Sequence, residues 1–136
     1  MKPAKLEASL DAWAPTVLSL LRIMVGLLIL QFGVQKILGF PPNPSYANLQ
    51  IYSLIGTAGM IELIGGTVLT LGLLTRPVAF ILSGEMAFAY FIAHAPRAFM
   101  PSANGGTLAA LFCFIFFYFV FEGPGPYSLD AMMKKK

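Results

Sequence analysis

The sequence predicts an all-α, integral membrane four-helix bundle with both the N- and C-termini in the cytoplasm. Three observations carry this. The chain of 136 residues is 57% hydrophobic and only 11% charged, where a soluble domain is nearer a quarter charged. Its mean hydropathy is +0.76. Four stretches qualify as spanning helices, which need roughly 20 apolar residues, and the basic residues fall unequally on the two sides they define.

Residues 1–15 form an amphipathic lead-in. Leu6, Leu10 and Trp13 recur three or four apart, and Trp13 is placed at the headgroup level. The four-helix domain covers residues 16–122. Its first span is 16–38, started by Pro15 in a favourable first-turn position and ended by Gly39 and the PPNP segment. The second is 49–74, stopping before Thr75, Arg76 and Pro77. The third is 77–95, stopped by Pro96. The fourth is 106–122, stopped by GPGP, with Asn104 as the expected N-cap. A very short second turn makes helices two and three an antiparallel hairpin. Residues 123–136 are a cytoplasmic tail.

Lys2, Lys5, Arg76, Lys134, Lys135 and Lys136 lie on one side, and Arg97 on the other with Lys36 near its edge. The first side is therefore the cytoplasm. The net charge of +3 sits mainly at the chain ends and reads as a topology signal rather than a nucleic-acid surface. The N-terminus does not read as a cleaved signal, because Glu7 and Asp11 precede a run long enough to span. Cys113 is the one cysteine, so no intrachain disulfide, dithiol pair or zinc cluster is expected.

Four charges inside the spans stand out: Arg22, Lys36, Glu62 and Glu85. Each costs roughly 2.5–3.5 kcal/mol at a bilayer centre on insertion scales. At 100° per residue, Arg22, Gly26, Gly33 and Lys36 share a narrow stripe of helix one, with Gln31 and Gln35 opposite. Small and charged residues on one face predict close helix packing there. Gln31 and Gln35 would meet another helix or a second subunit. Gly59, Glu62 and Gly66 repeat the pattern in helix two.

Counting from the cytoplasmic ends, Arg22 lies roughly 9 Å deep, Glu85 roughly 12 Å and Glu62 roughly 18 Å. Arg22 is expected to pair with one of the two glutamates, leaving a spare acid. Two readings stay open: an ion network that fixes helix register, or a proton-carrying or ligand site formed by Arg22, Glu62 and Glu85. Lys36 is expected apart from them, in an outer cluster with Tyr90, His94, Arg97 and Asn104. That cluster and the start of helix four could hold an anion or a quinone carbonyl.

Lys36 precedes Phe40 and Pro41 as Arg97 precedes Phe99 and Pro101, which reads either as a parallel duplication or as chance. The aromatics of helix four cover all its faces and read as packing and lipid-facing groups. No phosphate loop, nucleophile elbow or metal-spaced His/Cys set occurs. A haem held by two His ligands is excluded within one chain by the single His94.

These segments together resemble one family. LRIMVGLLILQFGVQKILGF, GMIELIGG, GLLTRPVAFILSGEMAFAYF, HAPRAFMPSANGG and GPGPYSLD resemble the DoxX family of small four-helix membrane proteins, over about residues 17–130. The resemblance implies an inner-membrane protein. It also implies a link to thiosulfate:quinone oxidoreductase and terminal oxidase subunits, or to oxidative and thiol stress. The positions it carries over are Arg22, Lys36, Glu62, Glu85, His94, Pro96, Arg97, Asn104, Gly105 and Gly106. Thr107 departs from it, since members often carry an acid after Asn-Gly-Gly.

Three functions follow as expectations. A quinone or similar lipophilic molecule binds the polar site, with Glu62 or Glu85 moving protons; an enzyme of this kind would be a quinone-linked oxidoreductase subunit. Alternatively the chain anchors a soluble oxidoreductase partner without catalysis. Finally, a homo-oligomer could transport small solutes. The lipid bilayer is a partner in all three, and nucleic acid in none.

Overall fold

A computed structural model describes residues 3–136, so Lys2 lies outside the described residues. All its regular elements are helical. Helix α1 (Pro3–Gly33) runs directly into a π turn (Val34–Leu38). Helix α2 is Leu54–Leu71, and α3 (Thr75–Ala89) ends in a second π turn (Tyr90–His94). The short α4 (Pro101–Asn104) precedes α5 (Thr107–Glu122), and α6 (Leu129–Lys134) closes the chain.

The first helix does not begin at Pro15. Proline there keeps a helical φ and costs one backbone hydrogen bond, and the helix runs through it from Pro3. Helix α2 begins later than its apolar run because Ser53 caps it, accepting from the Gly56 amide at 3.0 Å. Gly72 ends it in the left-handed conformation at φ 69°, with the paired 6→1 and 5→2 bonds of a Schellman turn: Leu73 to Val68 and Gly72 to Leu69. Pro77 falls in the first turn of α3, where its missing N–H had no helical partner. Asn104 is not the N-cap of α5. It ends α4, Gly105 turns the chain at φ 73°, and Gly106 takes the cap position.

Three helices are long and apolar enough to cross a membrane: Pro3–Leu38, Leu54–Leu71 and Thr75–His94. Helix α5 is apolar but has 16 residues, about 24 Å against a hydrocarbon core of about 30 Å. Helices α1 and α2 pack closely, as do α3 and α5, and α2 joins the two pairs. Gly33 lies so near Leu63 that a Cβ would stand 2.3 Å from its backbone nitrogen, and Gly66 meets Leu30 in the same way. The small-residue stripe thus seats α1 on α2. The core is Val25 and Ile29 of α1, Leu69 of α2, Ala79, Leu82 and Met86 of α3, and Phe112, Phe116 and Phe119 of α5. One aromatic face of α5 is buried, while Phe114, Phe117 and Phe121 are exposed.

Candidate functional site: a half-buried lysine and two glutamates

The fold regroups the four intramembrane charges. Lys36 does not stand apart from the glutamates. Its Nζ lies 2.7 Å from both carboxylate oxygens of Glu62, and the two side chains are 13% and 4% exposed. Three local features create this pair. Gly33, one turn before Lys36, brings α1 onto α2 at residues 62 and 63. Gly59, one turn before Glu62, leaves room for the lysine stem, since a Cβ there would fall 2.8 Å from Lys36 Cβ. The π turn widens the helix around Lys36 and changes its phase from that of a regular α-helix.

Glu85 reaches the same region from α3. It lies within electrostatic range of both Glu62 and Lys36, and its Oε2 is buried without a hydrogen-bond partner among the described residues. The site therefore holds two carboxylates against one ammonium. Lys36 rather than Arg22 is the base beside the two acids.

Arg22 goes elsewhere. It is 1% exposed and donates to main-chain carbonyls at the other end of the bundle: Tyr127 at 2.7 Å, Thr70 at 3.4 Å, and Pro124. The tail beyond Glu122 is thus docked rather than free. Ser19 accepts from the Tyr127 amide at 3.1 Å, and Arg76 donates to the carbonyls of Val120 and Phe121 that end α5. Asp130 accepts from the amides of Leu74 and Thr75 at 2.9 Å each, and its own amide donates to Gly72. This carboxylate caps α3 from a distant part of the chain. Burial alone would raise its pKa; the Thr75 and Leu74 amides, with Lys134 nearby, outweigh that and hold it below the usual value. Asp130 and Ser19 did not emerge from the sequence reading. The cue was Ser128-Leu-Asp, an N-cap followed by an acid in the first turn of a short helix.

The outer cluster is partly assembled. Asn104, 2% exposed, donates to the Tyr90 hydroxyl at 3.3 Å and to the Ala98 carbonyl at 3.0 Å, and its Oδ1 accepts from the Gly106 amide at 2.7 Å. His94 Nδ1 lies 3.1 Å from the Asn104 carbonyl. A carbonyl only accepts, so Nδ1 carries the proton, and Nε2 would be the acceptor of a neutral ring. Arg97 is exposed and is tied to His94 through its backbone amide. Lys36 belongs with Glu62 instead.

Gln35 makes long contacts to Pro41 and Asn43, and Gln31 is exposed. Both α1 and α3 end in π turns, the first containing Lys36 and the second ending at His94, three residues before Arg97. No group of three or more His, Cys, Asp or Glu suited to a metal occurs among the described residues.

A sequence model of the DoxX family matches residues 17–95, which contain Arg22, Lys36, Glu62, Glu85 and His94. An uncharacterized protein of Haemophilus influenzae is 42% identical over 132 residues, covering 94% of this chain and 98% of that protein. An uncharacterized membrane protein of Mycobacterium tuberculosis is 28% identical over 152 aligned positions, covering 93% of this chain and 87% of its own length. No solved structure matches the chain.

Proposed function

The chain belongs to the DoxX family of membrane proteins, and on that premise we propose that it binds a quinone, or a similar small lipophilic molecule with a polar head, at Lys36, Glu62 and Glu85. The observation that carries this reading is the second carboxylate. Lys36 balances Glu62, and Glu85 presents a buried oxygen with no hydrogen-bond partner among the described residues. A polar group so placed in an apolar bundle is costly unless something answers it. A ligand carbonyl or hydroxyl would answer it, with Glu85 giving or taking the proton.

In this reading α1, α2, α3 and α5 all span an inner membrane, with both chain ends in the cytoplasm. The bilayer thins slightly to meet the short α5. The Tyr90, His94 and Asn104 group stands at the outer end of α3, where the Nε2 acceptor and the exposed Arg97 orient the polar head. Arg22 serves the site indirectly by holding the opposite end of the bundle closed. The residues named here bind the molecule and exchange protons with it. Electrons for any reduction would come from a partner subunit or a bound redox group.

A short-chain ubiquinone analogue titrated into the protein in lipid nanodiscs tests this. Wild type should bind saturably. Glu85→Gln should weaken binding about tenfold to a hundredfold, the worth of one hydrogen bond to a charged group. No saturable binding by wild type, or equal binding by the variant, sinks the proposal.

A second reading has its own observation. The docked tail fixes α6 as a rigid platform that carries Lys134, Lys135 and Lys136 with exposed Met132 and Met133 beside them. Such a surface suits a soluble oxidoreductase partner. Deleting residues 134–136 and comparing detergent pull-downs tests this; an unchanged set of partners contradicts it.

A further inference from the structure

The geometry points to a parallel homodimer in which α1 packs against α1 of a second copy along one continuous seam. An apolar line runs down α1 from Leu6 through Leu10, Trp13, Val17 and Leu20 to Gln31, at alternating steps of four and three residues. All of these side chains are exposed, Leu10 at 61%, Val17 at 57% and Leu20 at 56% among them. The line lies opposite the face on which Arg22, Gly26 and Gly33 meet the rest of the chain. Steps averaging 3.5 residues are those of a left-handed coiled coil.

Within hydrocarbon such a face would need no explanation, because lipid covers apolar side chains. Two observations set this face apart. First, the helix from Pro3 to Leu38 has 36 residues, about 54 Å, and so exceeds a hydrocarbon core of about 30 Å. It continues through Pro15 without a break, so a crossing that ends at Leu38 would carry the exposed Leu6 and Leu10 past the hydrocarbon. Second, Gln31 lies on the same line inside the apolar span, and its side-chain amide makes no hydrogen bond among the described residues. An unanswered amide in hydrocarbon is costly.

One occupant answers both. A second α1 running parallel covers Leu6 and Leu10 outside the membrane and sets Gln31 against its own copy, where an amide is its own complement. A single polar residue at a core seam position fixes register and stoichiometry in coiled coils, and interhelical amide bonds hold spans together in membranes. This surface is independent of the Lys36–Glu62–Glu85 site and of whether that site binds a quinone.

Single cysteines placed in a Cys113→Ser background test the seam in native membranes. Under mild oxidation, Leu10→Cys and Val17→Cys should give disulfide dimers of twice the chain mass, and Ala8→Cys and Ala12→Cys, on other faces, should not. Gln31→Leu, read in nanodiscs by single-molecule subunit counting, should weaken association roughly three- to twentyfold. Equal crosslinking at all four positions, none at the seam, or products with another protein would overturn the proposal. So would quenching of Trp13 by brominated lipid with no crosslink at residue 10, which would lay the N-terminal helix on the bilayer instead.

Discussion

At the scale of single residues, the buried Lys36–Glu62 pair should behave as a unit. Removing one partner leaves an uncompensated charge, so Lys36→Met should destabilise the protein by about 3–5 kcal/mol, while Lys36→Met with Glu62→Leu should be neutral or stabilising. Unfolding in mixed micelles checks this; equal losses in the single and double variants would show that the pair does not couple. The pair was half legible in the sequence. The stripe of Arg22, Gly26, Gly33 and Lys36 could be read from 100° periodicity, and it does face α2. The partner could not, because depth counted along regular helices ignores both the π turn and the inward reach of a lysine stem. The contact of Gly33 with residues 62 and 63 is what levels Lys36 with Glu62. Arg22 was misgrouped for a related reason. Its partners are main-chain carbonyls of the tail, and no side-chain pattern announces a carbonyl.

At the scale of elements, the glycine seat between α1 and α2 and the docked tail each make a prediction. Gly33→Leu forces a side chain into the backbone of α2 and should cost about 1–3 kcal/mol, occasionally more. A thermal shift no larger than that of Gly84→Leu, whose Cβ would meet open space, would contradict the seat. Asp130→Ala removes the cap from α3 and should cost about 1 kcal/mol. The pH dependence follows from the depressed pKa. Asp130 is held below its ordinary 3.8 in the folded chain, so its stabilisation is complete above that value. It is lost as pH falls through the lower folded value. Proteolysis of the tail between pH 2 and pH 5, set roughly by the reference value, should accelerate toward the acid end in wild type and be flat in Asp130→Ala. The apolar helices were legible from their runs, and so were the ends at Leu38 and Glu122, but the start of α2 and the turn between α2 and α3 were not. Ser53, the Gly72 turn and the remote carboxylate of Asp130 decide them, and only the first two are local.

At the scale of the whole molecule, a membrane protein was legible from composition, and its helices from the apolar runs. The grouping of helices was not, because it rests on where glycines let backbones touch. The proposed four crossings require the chain ends to share a side. A fluorescent protein fused after Lys136 should fold and fluoresce in the cytoplasm, and alkaline phosphatase fused near Met100 should be active; the reverse pattern would invert the topology. The central claim, a polar ligand site built on the spare acid, is tested most directly by infrared difference spectroscopy of the nanodisc-embedded protein on adding a quinone analogue. A carboxyl signal should change, and the change should vanish in Glu85→Gln while persisting in Glu122→Gln. Saturable quinone binding with an unchanged carboxyl spectrum, or a signal that survives Glu85→Gln, would contradict it.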